Sequence, residues 1–202
     1  MESVGFKEWA AVCEALGRGR QSIILRKGGI AEGRDGFSFR HREFFLFPTW
    51  FHEQPQKVGE FTGGAPVENG QLLTIRFAAT LECSQTITSW DVAEALAPFH
   101  IWKPEVVRER FDYDEAPGLQ AAFVRVFRVK PDWTFANEKK YGGCRSWVNL
   151  PNPPNNTTFE PVLNDIEHAK RREEFLTIIG EPVIREKAGG HRPPLPRNDS
   201  TV

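Results

Sequence analysis

The sequence has little methionine and cysteine and no long apolar run. It contains one Met and three Cys among 202 residues, whereas Phe contributes 16 residues and Trp six. Cys13, Cys83 and Cys144 are odd in number and widely separated, which argues against a disulfide framework and suits a reducing cytoplasm. Charged residues stand where a secretory signal would have its apolar stretch, and no run reaches the length of a membrane span. We therefore expect a cytoplasmic protein that does not cross a membrane.

The net charge of −1 does not indicate a protein that binds nucleic acid. The charges are, however, unevenly distributed along the chain. Residues 18–42 hold seven cations and two acids, and residues 125–145 hold six cations and two acids. Residues 43–102 hold two cations and seven acids. The two basic stretches are candidates for binding an anion. The alternative, which charge clusters alone favour, is that basic and acidic segments neutralise each other on a solvated surface.

Hydrophobic periodicity predicts an α+β fold. Phe6, Trp9, Cys13 and Leu16 recur at helical spacing and Gly17 ends the pattern, which predicts an N-terminal helix with a buried Cys13. Alternating or wholly apolar runs predict strands at 21–27, 44–47, 73–81, 119–130 and 146–150, and capping signals predict short helices at 88–97 and 103–111. The strict alternation at 73–81 is typical of antiparallel sheets. We expect a mainly antiparallel sheet with flanking helices, with a barrel-like curl as one option.

The composition divides the chain after the last core strand. Residues 1–150 are predicted to form one core domain, and residues 151–158, which read PNPPNNTT, a linker. Residues 159–180 carry a helical apolar stripe that ends at Gly180, which predicts an amphipathic helix. Residues 181–202 lack large apolar residues at any period and are expected to be disordered.

Two glycine pairs beside cations are the candidate phosphate sites. Arg26 and Lys27 precede Gly28 and Gly29 at the end of a predicted strand. Paired glycines adopt positive φ and present their amide groups to an anion, while the neighbouring cations add charge. The second pair, in YGGCRSW, is followed by Arg145. Lys103 is a further candidate cation for the same ligand. The alternative for RKGGI, which is slightly favoured, is a tight turn that needs Gly28 or Gly29 for its geometry, with two solvated cations.

Aromatic and polar residues near the ends of predicted elements are candidates for stacking on a base and bonding to it. Strand ends often carry ligands because a rigid element positions a short loop. The candidates are Trp50, His52, His100, Trp102, Tyr141, Cys144, Ser146 and Trp147. The competing interpretation is a core of aromatic side chains, with each histidine bonded to the backbone.

The sequence also offers two weaker catalytic sets. Cys144 is a nucleophile candidate with His52 or His100 as its base, although Arg145 is the only local group that would lower its pKa. Asp132, Glu138 and Lys140 resemble the acid and lysine set of metal-dependent nucleases, but too few residues separate them for the paired strands that such sites use. The spacing of His, Cys and acids does not indicate a zinc site. We assign no metal, no cofactor and no catalytic residue.

Five motifs taken in order resemble a known family. They are QSIILRKGGI, FFLFPTWFH, HIWKPEVVRERF, AAFVRVFRV and YGGCRSWVNL. The ordered set resembles the bacterial domain-of-unknown-function family 1802 over about residues 5–150. Members of that family are joined to restriction-endonuclease-like domains. By this association the resemblance implies a function that involves nucleic acid, but it implies no mechanism.

Three functional hypotheses remain open. The leading one is a nucleic-acid or nucleotide-binding domain without chemistry of its own. It requires both glycine turns on one face, and it requires that Arg26 is not buried against an internal acid. The second is a small hydrolase or nuclease that uses one of the catalytic sets. The third is an interaction module in which helix 159–180 docks on a partner or on a second copy.

Overall fold

The computed structural model describes residues 1–27, 37–50, 54–59, 71–113 and 115–180. The candidate residues Gly28, Gly29 and His52, and the segment 181–202, lie outside these described residues. None of the helices in the described part of the chain has the length and apolarity needed to span a membrane.

Seven strands form one mixed sheet. The strands are β1 (Val4–Trp9), β2 (Ile23–Arg26), β3 (Glu43–Thr49), β4 (Leu72–Ile87), β5 (Leu119–Ala136), β6 (Trp147–Asn149) and β7 (Thr158–Pro161). Six of them lie in the order β2-β5-β4-β3-β1-β6, and β7 also pairs with β5. Only the β1–β3 pair is parallel among the described strands, and the others are antiparallel. The predicted α+β class with a mainly antiparallel sheet is confirmed.

The sheet is open, so the option of a barrel-like sheet is wrong. Closure into a barrel requires the first and last strands to pair, which removes the edges. In the described part of the chain, β2 pairs only with β5 and β6 pairs only with β1. A strand of four residues and one of three also leave little backbone with which to close a ring.

The N-terminal segment differs from the predicted helix. Residues Val4–Trp9 form a strand, and the helix begins only at Ala10. β1 lies between β3 and β6, so its backbone groups are used on both edges, and this pairing overrides the local periodicity. The helical spacing of Phe6 with Trp9 is therefore coincidental. Cys13 is buried on the helix, as expected.

Helices cover one face of the sheet. They are α1 (Ala10–Gly17), α2 (Gln54–Lys57), α3 (Trp90–Ala95), α4 (Pro104–Phe111) and α5 (Asp165–Ile179), with 3₁₀ turns at Ala97–Phe99 and Lys139–Tyr141. Alternate residues of β3 separate two apolar clusters: Phe44 and Leu46 join the cluster beneath the helices, and Phe45 and Phe47 join the cluster on the other face. The second cluster includes Tyr141, so the turn that carries it lies on the face away from the helices.

β3 and β4 diverge along their length, and this divergence makes room for the site. β3 pairs with β4 only through Glu43–Phe45, opposite Ala78–Thr80. The beginning of β4, Leu72–Ile75, pairs with β5. The C-terminal half of β3 therefore has β1 as its strand partner, and a gap opens on its other side.

The C-terminal elements belong to the same core. Residues 158–161 form β7 on the edge of β5, and α5 begins at Asp165 rather than at the predicted 159. Asn164 caps the helix, because its Oδ1 accepts a hydrogen bond from the Glu167 amide at 2.9 Å. Phe175 of α5 is 0% exposed. The helix thus contributes to the core that the sequence placed within residues 1–150.

Candidate functional site

A cleft of about 740 Å³ lies at the C-terminal ends of the parallel strands β1 and β3. The two strand ends meet at one edge of the sheet because the strands are parallel. Residues 137–139 and 141–146, which include the second glycine pair, form the opposite wall. The lining residues that carry charge are Lys7, Arg26, Glu138, Lys139 and Arg145, and the aromatic ones are Trp9, Phe47, Trp50 and Tyr141.

The cleft brings together six of the candidates selected from the sequence. They are Arg26, Trp50, Tyr141, Cys144, Arg145 and Ser146. The candidates Lys27, Lys103, His100, Trp102 and Trp147 do not line it. The strand that ends at Arg26 and the turn at 142–143 therefore do meet on one face.

The second glycine pair forms the turn that the sequence predicted. Gly143 has φ +80°, a conformation that residues with side chains seldom adopt, and the space beside it is open. The Gly143 carbonyl accepts a hydrogen bond from Lys7 Nζ at 2.9 Å. Lys7 thus joins the turn to β1, and it is a cleft residue that sequence reasoning missed because its segment was interpreted as a helix.

Lys7 and Arg145 place two positive charges close together in the cleft wall. Partial burial lowers the pKa of Lys7, and the charge of Arg145 lowers it further. The Lys7 ammonium lies 6.0 Å from the centroid of the Phe47 ring. An anion bound between the two cations would relieve their repulsion, so their proximity favours an anionic ligand.

Arg26 has an internal partner. Its Nη2 lies 3.5 Å from Oε2 of Glu8, a carboxylate that is 1% exposed, and it also donates to the Lys7 carbonyl. The guanidinium carbon lies 4.7 Å from the centroid of the Phe6 ring. The leading hypothesis required Arg26 not to be buried against an internal acid, and this requirement is not met. The charge of Arg26 is largely compensated, and its contribution to binding an anion is correspondingly small.

The other two proposed cations have different surroundings from those expected. Lys27 Nζ donates to the carbonyls of Ala116 at 2.7 Å and Phe111 at 3.3 Å, and so ties β2 to the end of α4. Lys103 precedes α4, away from the cleft. The cations at the cleft are therefore Lys7 and Arg145, together with Lys139 of the 3₁₀ turn.

The aromatic candidates divide into cleft residues and core residues. Trp50 is half-buried in the cleft wall. Tyr141 is only 3% exposed, because its ring packs against Phe47 and Phe135 at centroid distances of 5.6 and 5.7 Å. Tyr141 therefore lies at the floor of the cleft, and little of its ring is open for stacking.

Trp147 and Trp102 are packing residues. Trp147 contacts Phe6 and Phe44, with ring centroids at 4.8 and 5.3 Å. Trp102 is 5% exposed and lies edge-on to Trp9 at 4.7 Å. For these two residues the structure shows the core role that the sequence left open.

His100 is half-buried, and its ring is held by the backbone. Its Nδ1 accepts a hydrogen bond from the Trp102 amide at 3.1 Å. Burial lowers the pKa of His100 to about 4, with a smaller contribution from the charge of Arg110. Among the described residues, this histidine does not reach the cleft.

The two catalytic sets are not assembled within the described residues. Cys144 is exposed in the cleft, but none of the histidines in the described ranges lines it. Glu138 lines the cleft and holds Lys140 at 2.7 Å, whereas Asp132 lies on β5 outside it. The described residues include no group of three or more His, Cys, Asp or Glu placed to hold a metal ion.

The fold and the cleft define a class of protein: an α+β domain with an open mixed sheet and a basic, aromatic-lined cleft at the ends of its two parallel strands. Residues 5–174 match the model of the family described as domain of unknown function DUF1802. The chain belongs to that family. The match extends past residue 150 and so includes β7 and most of α5.

The chain also shows a distant similarity to solved structures. One is the crystal structure of ASCH from Zymomonas mobilis, with 12% identity, a TM-score of 0.43, and 84% of this chain and 93% of that chain covered. Another is a serine-to-alanine mutant of the same Zymomonas mobilis protein, with 13% identity, a TM-score of 0.42, and 84% and 94% covered. No curated protein matches the chain.

Proposed function

We propose that the cleft binds a nucleotide unit, either as part of a nucleic acid or as a free nucleotide, without chemistry of its own. The observation that carries the proposal is the meeting of Lys7, Lys139 and Arg145 with the side chain of Trp50 in one cleft of about 740 Å³. A concave site of this volume suits a ligand of nucleotide size. Cations supply phosphate contacts, and an indole ring supplies a sequence-tolerant stacking surface.

The charge balance of the cleft supports an anionic ligand. Arg26 is compensated by Glu8, and Glu138 is engaged by Lys140. The three remaining cations have no carboxylate at ion-pair distance within the described part of the chain. Because like charges in a partly desolvated wall repel each other, a phosphate is the kind of group that the wall favours.

The phosphate is proposed to lie at the Gly142–Gly143 turn. Residues with a side chain would crowd this turn or strain it, whereas Gly143 at φ +80° leaves the backbone open to a ligand. Lys7 is held at the same place through its bond to the Gly143 carbonyl, and Arg145 follows two residues later. Ser146 adds a hydroxyl to the same wall. The base would then lie toward Trp50.

The test is binding of labelled single- and double-stranded DNA and RNA, measured by fluorescence anisotropy across a salt series. We expect affinity to fall steeply with salt, because each cation that contacts a phosphate releases a counterion. Lys139→Gln and Arg145→Gln should each lower the affinity by about ten-fold and reduce the slope of log K against log salt by about one.

A matched control lies in the same turn. Lys140 follows Lys139 directly, is exposed as Lys139 is, does not line the cleft, and forms an ion pair with Glu138. Lys140→Gln should therefore change the affinity less than about two-fold. No binding at low salt, or equal losses from Lys140→Gln and Lys139→Gln, would show that the cleft is not a phosphate site.

A further inference from the structure

A second, smaller cavity adjoins the cleft at the end of β3. Its volume is about 240 Å³, and it shares Pro48 and Trp50 with the cleft. Its other lining residues are Cys13, Glu14, Leu46, Leu72, Thr74, Arg76, Phe77 and Thr134. These residues come from α1, from β3, from the stretch where β4 has left β3, and from β5. The gap between the two strands therefore joins a site on one face of the sheet to a site on the other, with Trp50 between them.

The second cavity differs from the cleft in its charge. Glu14 is 4% exposed, forms an ion pair with Arg76, and has Oε2 at 3.7 Å from Nε of Arg18. The carboxylate compensates the arginine beside it, so the cavity offers no net charge for a phosphate. Its polar groups are instead suited to the edge of a neutral ligand, because a carboxylate accepts hydrogen bonds and a guanidinium donates them.

The walls of the second cavity suit a flat ring. Leu46 and Phe77 supply apolar surface, and the hydroxyls of Thr74 and Thr134 lie 2.9 Å apart at one side. A hydroxyl donates or accepts as its partner requires. Apolar walls with a few polar groups are the usual features of a site for a heteroaromatic ring such as a nucleobase.

From the proposed function, on which this step rests, we infer that the ligand is a single strand of nucleic acid at least two nucleotides long. One phosphate lies in the cleft at the Gly142–Gly143 turn, the strand crosses Trp50, and a base of the adjoining nucleotide enters the second cavity. A paired and stacked base does not reach such a cavity without leaving its duplex, so the arrangement selects single strands.

The length of the ligand is the first variable to test. Competition binding with a nucleoside monophosphate, a dinucleotide, a tetranucleotide and a duplex of equal sequence measures the contribution of the second cavity. We expect the tetranucleotide to bind about ten-fold tighter or more than the monophosphate, and the single strand about ten-fold tighter or more than the duplex.

A blocking variant separates the two sites. Leu72 lines the second cavity and not the cleft, and it is 46% exposed, so a larger side chain there does not disturb the core. Leu72→Trp should remove the gain in affinity with length while leaving the affinity for the monophosphate within about two-fold.

A second variant removes only hydrogen bonds. Thr74→Val combined with Thr134→Val keeps the shape of the wall, and we expect roughly a three- to ten-fold loss for the tetranucleotide. Thr86→Val is the matched control, because Thr86 lies on the same strand and its hydroxyl accepts a hydrogen bond from Gln120 at 2.6 Å, outside both cavities. It should leave tetranucleotide binding unchanged.

The outcomes distinguish this inference from the function on which it rests. Three results would each overturn the inference and leave the phosphate cleft intact. They are equal affinities for monophosphate and tetranucleotide, equal affinities for duplex and single strand, and a length effect that survives Leu72→Trp. A chain that binds none of the four ligands would overturn both.

Discussion

Charged side chains lie unusually deep beside the cleft, where β1, β2 and α4 meet. The Arg110 guanidinium carbon lies 3.7 Å from the centroid of the Trp102 ring. Burial lowers the pKa of Arg110 to about 10, the charge of Glu8 opposes this shift, and the charge of Arg26 adds to it. Glu8 thus stabilises two half-buried cations at once. A buried ion pair of this kind depends on its carboxylate, because removing one partner leaves a charge without compensation.

His100 provides a test of this buried region through the pH dependence of stability. Its pKa is about 4 in the folded protein and 6.5 in its ordinary state. Between these values the unfolded chain binds more protons, so the free energy of unfolding falls as the pH is lowered from above 6.5 toward 4. The loss should approach about 3 kcal/mol at most. Urea unfolding at a series of pH values measures it.

His100→Asn is the variant that isolates the effect. The Asn side-chain oxygen is placed to accept the hydrogen bond that the Trp102 amide now gives to Nδ1. The variant should be less sensitive to pH than the parent between pH 6.5 and about 4. Parallel stability curves for the two proteins would mean that His100 takes up its proton in the folded state as readily as in the unfolded chain.

At the scale of single elements, α5 packs in the core although it follows a segment that separates it from the predicted core domain. The helix follows a segment with the composition of a linker, yet Phe175 lies against Phe99 and Phe123 at centroid distances of 6.0 and 5.3 Å. Gln85 of β4 donates to the Ile179 carbonyl at 3.1 Å near the end of the helix. The C-terminal part of the helix, with Phe175 and Ile179, is therefore packed in the core of the same chain, whereas Ile166 near its start is exposed.

Two substitutions on α5 measure this packing. Phe175→Ala should lower the free energy of unfolding by about 3–5 kcal/mol, because it removes a fully buried ring. Ile166→Ala on the same helix should change it by less than about 0.5 kcal/mol, because Ile166 is 83% exposed. Similar values for the two variants, from chemical denaturation, would contradict the placement of the helix.

At the scale of the whole molecule, the sequence predicted the elements better than their arrangement. The alternation in 73–81 and the apolar run at 119–130 identified β4 and β5. A regular apolar pattern can be recognised from the residues of the strand itself, without knowing which strands it pairs with. β1 was misread because residues on both of its faces are buried, among them Gly5, Phe6 and Glu8, so its sequence does not alternate clearly. The strand β7 was not predicted, because it directly follows the proline-rich segment and pairs with the distant strand β5.

The candidate site was predictable only in part, for reasons that belong to individual residues. Glycine in YGGCRSW marked a positive-φ turn, and Gly143 has that conformation. The partner of Arg26 was not predictable, since Glu8 is distant in sequence and reaches it only through the sheet. Lys7 was missed because its segment, which forms β1, was interpreted as a helix. The roles of the cleft residues in binding remain proposals that the variants above test.

The domain boundary predicted at residue 150 leads to an experiment on the complete chain and a shortened one. A chain that ends at Leu150 loses the pairing of β7 with Phe127–Lys130 and the rings of α5 in the core. We expect it to show no cooperative unfolding transition, whereas the full chain shows one by circular dichroism. A shortened chain that unfolds cooperatively would restore the predicted boundary.

The position of β1 in the sheet has a consequence for folding during synthesis. The strand is synthesised before its neighbour β6, which pairs Asn149 with Val4 and Trp147 with Phe6. Contacts between such distant segments slow folding, since a long loop must close before they form. Until most of the chain has been made, the edge of β1 that pairs with β6 is uncovered. Strands of other nascent chains add readily to such an edge. Protection of β1 from aggregation therefore waits for the synthesis of β6, more than a hundred residues later in the chain.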